Sequence, residues 1–405
     1  MQAESSAIYF FSGQFGLGSF RRRFLRFAWA AGVSLCVLGM MCGCSRLRPK
    51  PKAQYVYVTA KQTYLRDRVA AVSNRTATVG NGDKLKVLER GRRFMRVETD
   101  KGETGWIDEK VVATQEIFDQ FEKLAEEHKN DPTVASGVVR DDVYLHVLPG
   151  RESERFYRLA ESEKLKLLKR ATLPKPVPPG MRAVPAVVAA ARGGKAGAAV
   201  EVPAPPAMED WWLVRDSRGE TGWMLSRMMD VDAPDSLVRY SEGQRMVGAY
   251  VLTTVHDPEA PGDNKDIPEY VTALGPYKAG LTYDFDQVRV FIWNVKKHRY
   301  ETAYRDRNIE GYLPIEVKMA ADPYGKAATA STPAPTYSYR VLSDEAGPVI
   351  PDPVTGAIVP GKTVLKTYRL EGNLVRRILA PGTTAPGEAH PAPEEKKAPK
   401  GKRRR

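Results

Sequence analysis

Cysteine is almost absent from this 405-residue sequence. Its three cysteines, Cys36, Cys42 and Cys44, all lie within an apolar N-terminal region, and none follows position 44. A disulfide framework and a thiolate metal site are therefore excluded for the body of the protein. Catalysis by a cysteine nucleophile is excluded there for the same reason.

Histidine is also scarce, and the five histidines do not recur at the spacing of a zinc site. No Gly-x-Ser-x-Gly segment is present that would place a nucleophilic serine. The best oxygen-ligand cluster is the acidic stretch 257–266, but its spacing is not that of an EF-hand and Lys265 lies within it. We therefore expect a solvated loop there, no metal, no cofactor and no catalytic residues. An enzyme confined to residues 237–382 is the alternative.

Long apolar runs are missing as well. The basic segment 21–26 precedes an apolar stretch at 27–41, which is shorter than the roughly 20 residues of a membrane span. This layout predicts a secretory signal peptide over residues 1–44, with an uncleaved anchor as the alternative. Either interpretation places the body outside the cytoplasm.

The end of that segment, Met-Cys-Gly-Cys-Ser at 41–45, resembles the lipobox of bacterial lipoproteins. The resemblance implies lipidation of Cys44 and a membrane anchor of two or three acyl chains, which hold far more firmly than one. Residues 45–54 then form a tether. The arginines at 21–23 also resemble the twin-arginine export signal, with an ordinary basic region as the alternative.

The charge balance is basic, with a formal net charge of +13. Removing residues 1–44, which hold four arginines and one glutamate, leaves 58 − 48 = +10. Outside the cytoplasm such a charge favours contact with anionic envelope polymers or lipid headgroups. Nucleic acid is not an expected partner, because the compartment is wrong and no recognition motif is present.

The pentapeptide GETGW occurs twice, at 102–106 and at 219–223, each time after an aromatic and valine-containing strand. The string Lys-Leu-Lys precedes each copy, at 84–86 and at 164–166. These two strings are 164 − 84 = 80 residues apart and the two tryptophans 223 − 106 = 117, so the second copy holds about 37 extra residues. Two copies of one small β domain are therefore predicted.

The extra residues form a Pro-, Ala- and Gly-rich stretch, which predicts a disordered insertion at 171–208. Between the copies, apolar residues at helical spacing predict a linking helix at 114–131 that packs against one or both domains. Its apolar residues are Ile117, Phe118, Phe121, Leu124 and Ala125.

With these motifs in hand, residues 55–113 and 138–231 resemble bacterial Src-homology-3-type (SH3b) domains. The family closes on Gly-x-x-Gly-Trp-aliphatic, matched here at 102–107 and 219–224, and its opening is matched loosely at 64–68 and 144–150. The resemblance implies two small barrels that bind cell-wall peptides, or proline-containing and other extended peptides. It covers about 40% of the chain.

Residues 237–382 predict a further β domain, a sandwich or a barrel, and the basic stretch 383–405 predicts a disordered tail. The strand candidates are 246–255, 270–274, 287–293, 300–305, 312–319, 336–342 and 362–370. Residues 289–293 and 298–302 form a hairpin in this scheme. The predicted fold class is mainly β: two SH3-like barrels, a short linking helix and a C-terminal β domain.

Aromatic side chains are the candidate ligand contacts. We expect Trp106 to close one small core with Leu85 and Val97, and its copy Trp223 to do the same in the second barrel, each with a ring edge at a groove. Of the adjacent Trp211 and Trp212, one faces inward and one outward. The full candidate set is Tyr55, Tyr57, Tyr64, Trp106, Tyr144, Trp212 and Trp223.

Together these features predict a non-catalytic, membrane-anchored lipoprotein of the cell envelope. Its two barrels bind peptidoglycan peptides or other extended peptides, and two weak modules on one anchor raise the effective concentration at a polymer surface. An assembly role, in which the barrels dock an envelope protein, is the alternative.

Overall fold

A computed structural model describes residues 53–70, 72–176, 206–325 and 328–392. Cys44, the predicted signal peptide and nearly all of the tether lie outside the described residues, as do 177–205 and 393–405. Among the described residues, no helix has the length and apolarity required to span a bilayer. The fold is mainly β, as predicted.

The first barrel comprises residues 54–114, seven antiparallel strands in the order β3-β2-β6-β5-β4-β1-β7. Its strands are β1 Gln54–Val58, β2 Gln62–Arg66, β3 Arg75–Gly80, β4 Lys84–Arg90, β5 Phe94–Glu98, β6 Thr104–Asp108 and β7 Val112–Thr114. The first six strands supply one buried aliphatic core that includes Leu65, Leu85, Val97 and Ile107. A small barrel requires its strands to share one core in this way.

The second barrel comprises residues 135–231 and repeats that order, β10-β9-β13-β12-β11-β8-β14. Its strands are β8 Ala135–Val139, β9 Val143–His146, β10 Arg155–Leu159, β11 Lys164–Pro174, β12 Met208–Arg215, β13 Thr221–Leu225 and β14 Met229–Val231. The duplication predicted from GETGW is therefore present at the level of topology.

The predicted insertion is shorter than 171–208. Ala171 to Pro174 extend β11, and they pair with Met208 to Trp211 at the start of β12. The Ala-Thr-Leu-Pro stretch at 171–174 lacks a strand-forming pattern, but its pairing with 208–211, which sets Ala171 opposite Trp211, supplies cross-strand contacts that local composition does not reveal.

The linking helix α1, Gln115–Glu127, packs against both barrels. Phe121 is fully buried in the core of the second barrel, while Phe118 stacks on Tyr57 of the first with the ring centres 3.9 Å apart. The predicted apolar stripe of this helix is thus core packing, and it joins the two barrels through shared side chains.

Asn81 also joins the barrels. Its Nδ2 donates to the carbonyls of Val58, Thr59 and Phe156, and its Oδ1 accepts from the backbone N–H of Arg158. Because the last two bonds cross from the first barrel to the second, one side chain satisfies main-chain groups of both.

The third sheet is a single seven-stranded meander in sequential order, β15 to β21. Its strands are β15 Arg245–His256, β16 Asp266–Gly275, β17 Phe285–Asn294, β18 Arg299–Ala320, β19 Ala334–Leu342, β20 Thr363–Glu371 and β21 Leu374–Arg377. Six of the strands bury side chains in one core, as both of the predicted architectures, the sandwich and the barrel, require.

The predicted hairpin is confirmed, since Phe291 pairs with Thr302 and Trp293 with Tyr300. The separate strands predicted at 300–305 and 312–319 are one long strand, β18. The polar break between them does not end the strand, because shifts of pairing register there let it bend and continue.

Arg170 fastens the second barrel to the third sheet. Its Nε lies 2.8 Å from a carboxylate oxygen of Asp284, and its Nη2 donates to the carbonyls of Leu281 and Tyr283. Only 8% of this arginine is exposed. A buried guanidinium needs a carboxylate and acceptors close by, and here the third sheet supplies them, so the contact specifies the position of the two sheets.

The disordered tail predicted at 383–405 is wrong for residues 383–392, which lie along the third sheet. Ala389 donates its N–H to the carbonyl of Leu342, and Glu388 accepts from the ammonium of Lys366 at 2.8 Å. Lys366 is 4% exposed and also contacts Asp306. A buried cation requires carboxylate partners. The ion pair between Lys366 and Glu388 therefore holds residues 383–392 against the sheet, although their composition is typical of disorder.

Asn81→Ala should lower the free energy of unfolding by about 2 kcal/mol, because it leaves several partly buried main-chain groups of both barrels without a partner. Urea unfolding measures the change. Asn74→Ala is the control, since Asn74 bonds only the exposed Asp67 within the same barrel. Equal effects of the two substitutions would contradict the bridging role.

Candidate functional site

The two glycines of GETGW have different tasks. Gly102 has φ +81° in the hairpin turn, a conformation that favours glycine. Gly105 lies where β6 crosses β2: a methyl group placed there would come within 2.7 Å of Leu65 Cβ and 2.5 Å of Thr76 Oγ1. Only glycine lets the two strands approach this closely and close the barrel.

The tryptophan that follows this glycine points away from the core. Successive side chains of a strand alternate between faces, and Ile107 occupies the core of the first barrel. Trp106 is half-buried on the outer face, so the prediction that it closes a core with Leu85 and Val97 is wrong for the tryptophan and right for the two aliphatic residues. In the second barrel Met224 takes the inward position and Trp223 the outward one.

A groove of 370 Å³ lies on the outer face of the first barrel, around Trp106. Its lining consists of Thr63, Tyr64, Arg66, Arg68, Val69, Ala70, Phe94, Trp106, Asp108 and Val111. Tyr64 and Trp106 were predicted as ligand contacts, and the structure brings them together here. Val69 adds an exposed apolar side chain at the rim.

Arginines hold the groove in shape. The guanidinium of Arg75 lies 3.9 Å from the centre of the Tyr64 ring, a cation–π contact that braces this side chain. Arg93 donates to Asp108 at 3.2 Å. The backbone N–H of Lys110 and then Arg93 lower the pKa of Asp108, so this wall carries a compensated negative charge.

The equivalent face of the second barrel is closed. Trp223 is 8% exposed, and it belongs to a cluster that contains Leu124 of helix α1 and Trp211. Ala171 in this cluster forms a β-bridge with Ala357 of the third sheet's loop. The face around Trp223 is therefore closed by helix α1, and the loop at Ala357 is attached to the same cluster, whereas the equivalent face of the first barrel is open.

Both adjacent tryptophans are buried. Trp212 enters the core of the second barrel, and Trp211 faces outward but is covered, leaving 5% and 2% exposed respectively. The predicted alternation of faces is confirmed, whereas Trp212 and Trp223 are not open to a ligand. Burial lowers the pKa of His146, whose ring lies edge-on to Trp211 at 5.2 Å.

The remaining predicted tyrosines lie away from the groove. Tyr57 is 4% exposed and donates its hydroxyl hydrogen to Gln115 Oε1, so it is an interior residue and not a ligand contact. Tyr55 is half-buried with the ammonium of Lys84 over its ring at 4.1 Å. Tyr144, the copy of Tyr64, is half-buried under Arg155, whose guanidinium lies 5.2 Å from the ring centre.

The acidic loop at 257–266 is occupied by its own side chains. Asp257 accepts from Trp293 Nε1 and contacts His298 Nδ1, while the ammonium of Lys265 donates to the carbonyls of Ala260 and Gly262. The lysine ammonium thus occupies the carbonyl oxygens that a calcium ion would need as ligands. No group of residues with metal-binding geometry occurs in the part of the chain that the structure describes.

Sequence reasoning missed Arg66, Phe94 and Arg96 on the open face. The signal was available in the alternation of strand residues: Leu65 and Met95 are typical inward residues, so their neighbours on either side face outward. The choice of tyrosines and tryptophans as candidates instead included Tyr57, Trp212 and Trp223, which are buried.

Comparisons with known proteins leave the chain without an assigned family. No family model matches the sequence, and no curated protein matches it. Among solved structures, the "Structure of NlpC2 from Trichomonas vaginalis" aligns at 9% identity and a TM-score of 0.14, covering 48% of this chain and 56% of that one. The chain thus spans just over half of that protein's length, and a similarity this weak carries no argument about fold or function.

Gly105→Ala should lower the free energy of unfolding by about 1–3 kcal/mol, since the added methyl group overlaps strand β2. Chemical denaturation measures the effect. Gly347→Ala is the matched control, because a methyl group there meets no atom within 4 Å. A Gly105→Ala chain as stable as the control would contradict the close crossing of β2 and β6.

Glu220, in the second GETGW copy, should make the stability of the protein depend on pH. Burial, with a further contribution from Asp216, raises the pKa of Glu220 to about 7 from an ordinary value of 4.5. Between these values the folded chain holds a proton that the unfolded chain has released, so the free energy of unfolding falls as pH rises through this window.

Glu220→Gln removes that dependence and should raise the free energy of unfolding by on the order of 2 kcal/mol at about pH 8, with little gain at about pH 4. Glu103→Gln, at the same position of the first copy, is exposed and serves as the control. Urea titrations at the two pH values test this, and a pH-independent effect of Glu220→Gln would contradict it.

Proposed function

We propose that this protein is a non-catalytic binding protein of the cell envelope, anchored to a membrane through a lipidated Cys44. Its first barrel binds peptidoglycan peptides or other extended peptides. The observation that carries the proposal is the 370 Å³ groove where Tyr64, Phe94 and Trp106 meet on an open β face. Aromatic rings beside polar groups offer a flat apolar surface with hydrogen-bonding edges, as peptide backbones require.

Of the two equivalent faces in the described residues, only that of the first barrel is open, which favours a weak, monovalent contact. The copy of this face in the second barrel is covered by Leu124 and by the loop of the third sheet. Affinity for a polymer therefore comes from several anchored chains on one surface, and not from two grooves on one chain. This differs from the bivalent arrangement expected from the duplication.

An assembly role is the second candidate, and one observation favours it. The second barrel already acts as a docking module within the chain, since its Arg170 inserts among the carbonyls and the carboxylate of the third sheet. Arg90 of the first barrel has the equivalent place at the end of β4, and it is exposed. In this alternative the first barrel docks a second protein there.

Retention on insoluble peptidoglycan tests the proposal. The full chain in detergent should be retained at physiological ionic strength, about 0.15 M, and Trp106→Ala or Tyr64→Ala should weaken retention about tenfold. Trp106→Phe should retain most of the affinity, which separates loss of the ring from loss of the fold.

Tyr144→Ala is the matched control, because it removes the copy of Tyr64 from the closed face and should leave retention unchanged. Equal loss in Tyr64→Ala and Tyr144→Ala, or full retention by Trp106→Ala, would contradict a site in the first groove. Retention lost only with Arg90→Ala would favour the docking alternative.

A further inference from the structure

Trp106 lies in a row of three side chains across neighbouring strands. It is paired with Arg66 on β2 and with Arg96 on β5. Directly opposite residues on one face of a sheet have their Cβ atoms about 5 Å apart. The indole of the open groove is therefore flanked on both sides by an arginine, and both arginines are exposed.

Neither Arg66 nor Arg96 forms an ion pair within the described chain, although Glu89 stands opposite Arg96 on the neighbouring strand β4. Arg66 donates to the neutral hydroxyl of Ser73 at 2.9 Å, and Arg75 lies over the ring of Tyr64. In the part of the chain that the structure describes, no carboxylate lies within 4.0 Å of Arg66, Arg75 or Arg96. Arg93, by contrast, is paired with Asp108. Arg66 lines the groove and Arg96 lies on the other side of Trp106, so two exposed guanidinium groups beside the indole are available to an anion.

The second barrel supplies an internal comparison. At the positions equivalent to Arg66 and Arg96 it has His146 and Leu213, which flank the covered Trp223. Burial lowers the pKa of His146, which favours its neutral form. Arginines therefore flank the tryptophan that is open, whereas the closed copy has a histidine and an aliphatic residue.

We propose that the groove of the first barrel selects anionic peptides, with side-chain or terminal carboxylates bound by Arg66 and Arg96 beside the apolar face of Trp106. This inference rests on the proposed peptide-binding function and adds the charge of the ligand. The guanidinium group is planar and always protonated, and its paired donors match the two oxygens of a carboxylate. With a neutral peptide bound, the guanidinium N–H groups would donate only to water.

Two blocked pentapeptides of one length test the inference, Ala-Glu-Ala-Glu-Ala and Ala-Gln-Ala-Gln-Ala. Calorimetric titration of the full chain in detergent should show the acidic peptide binding about tenfold more tightly. Arg66→Gln and Arg96→Gln should each remove most of that difference, because each lowers the affinity for the acidic peptide far more than the affinity for the amide peptide.

Arg155→Gln is the control for bulk charge, because it removes one positive charge from beside Tyr144 on the closed barrel. It should leave both affinities unchanged. If Arg155→Gln weakens the acidic peptide as much as Arg66→Gln does, the preference is a general charge effect and the inference is overturned.

Failure of this inference is distinct from failure of the proposed function. Peptides that bind in a Trp106-dependent manner without any preference for glutamate overturn the anionic selectivity and keep the groove. Peptidoglycan retention that ignores Trp106→Ala overturns the groove itself. Acidic-peptide binding that survives Trp106→Ala and Arg66→Gln together places the anion elsewhere and overturns the inference.

Discussion

The close crossing of two strands at a glycine is the constraint on which the rest of each barrel depends. Gly105 brings β6 against β2, and Gly222 brings β13 against Leu145 of β9. Once the glycine is fixed at the crossing, alternation decides the next two residues: the tryptophan faces outward and the aliphatic residue faces the core. A single local requirement thus both closes the barrel and places an indole on its surface.

The same indole has different surroundings in the two copies. In the first barrel Trp106 borders an open groove, while in the second barrel Trp223 is buried in a cluster with Leu124 of helix α1, and the loop around Ala357 is bridged to Ala171 of the same cluster. The duplicated barrels therefore have two equivalent faces, of which the second is covered where the third sheet is attached and the first is open. Arg170 fixes that attachment, and its equivalent Arg90 remains exposed.

Much of the architecture could be predicted from the sequence because it depends on local patterns. The mainly β class, the duplicated strand order, the linking helix and the hairpin at 289–302 follow from periodicity, turn residues and the repeated motif. These signals lie within a few residues of one another, so no tertiary information is needed to read them.

Features set by tertiary contacts could not be predicted in this way. The tail at 383–392 is ordered because Lys366 needs Glu388, and β11 continues to Pro174 because β12 pairs with it. The candidate site was half predictable. Tyr64 and Trp106 were identified, but the exclusion of Tyr57 and Trp223 depends on contacts with helix α1 that the local sequence does not reveal.

The central claim is that the open indole of the first barrel receives the ligand and the buried copy does not. A nitrogen–proton correlation spectrum of the tryptophan indoles, recorded while soluble peptidoglycan fragments are added, tests it most directly. The account predicts that the Trp106 resonance moves and saturates at one site per chain while the Trp211 and Trp223 resonances stay in place. Equal movement of Trp223, or a stationary Trp106 in a chain that binds the fragments, would contradict it.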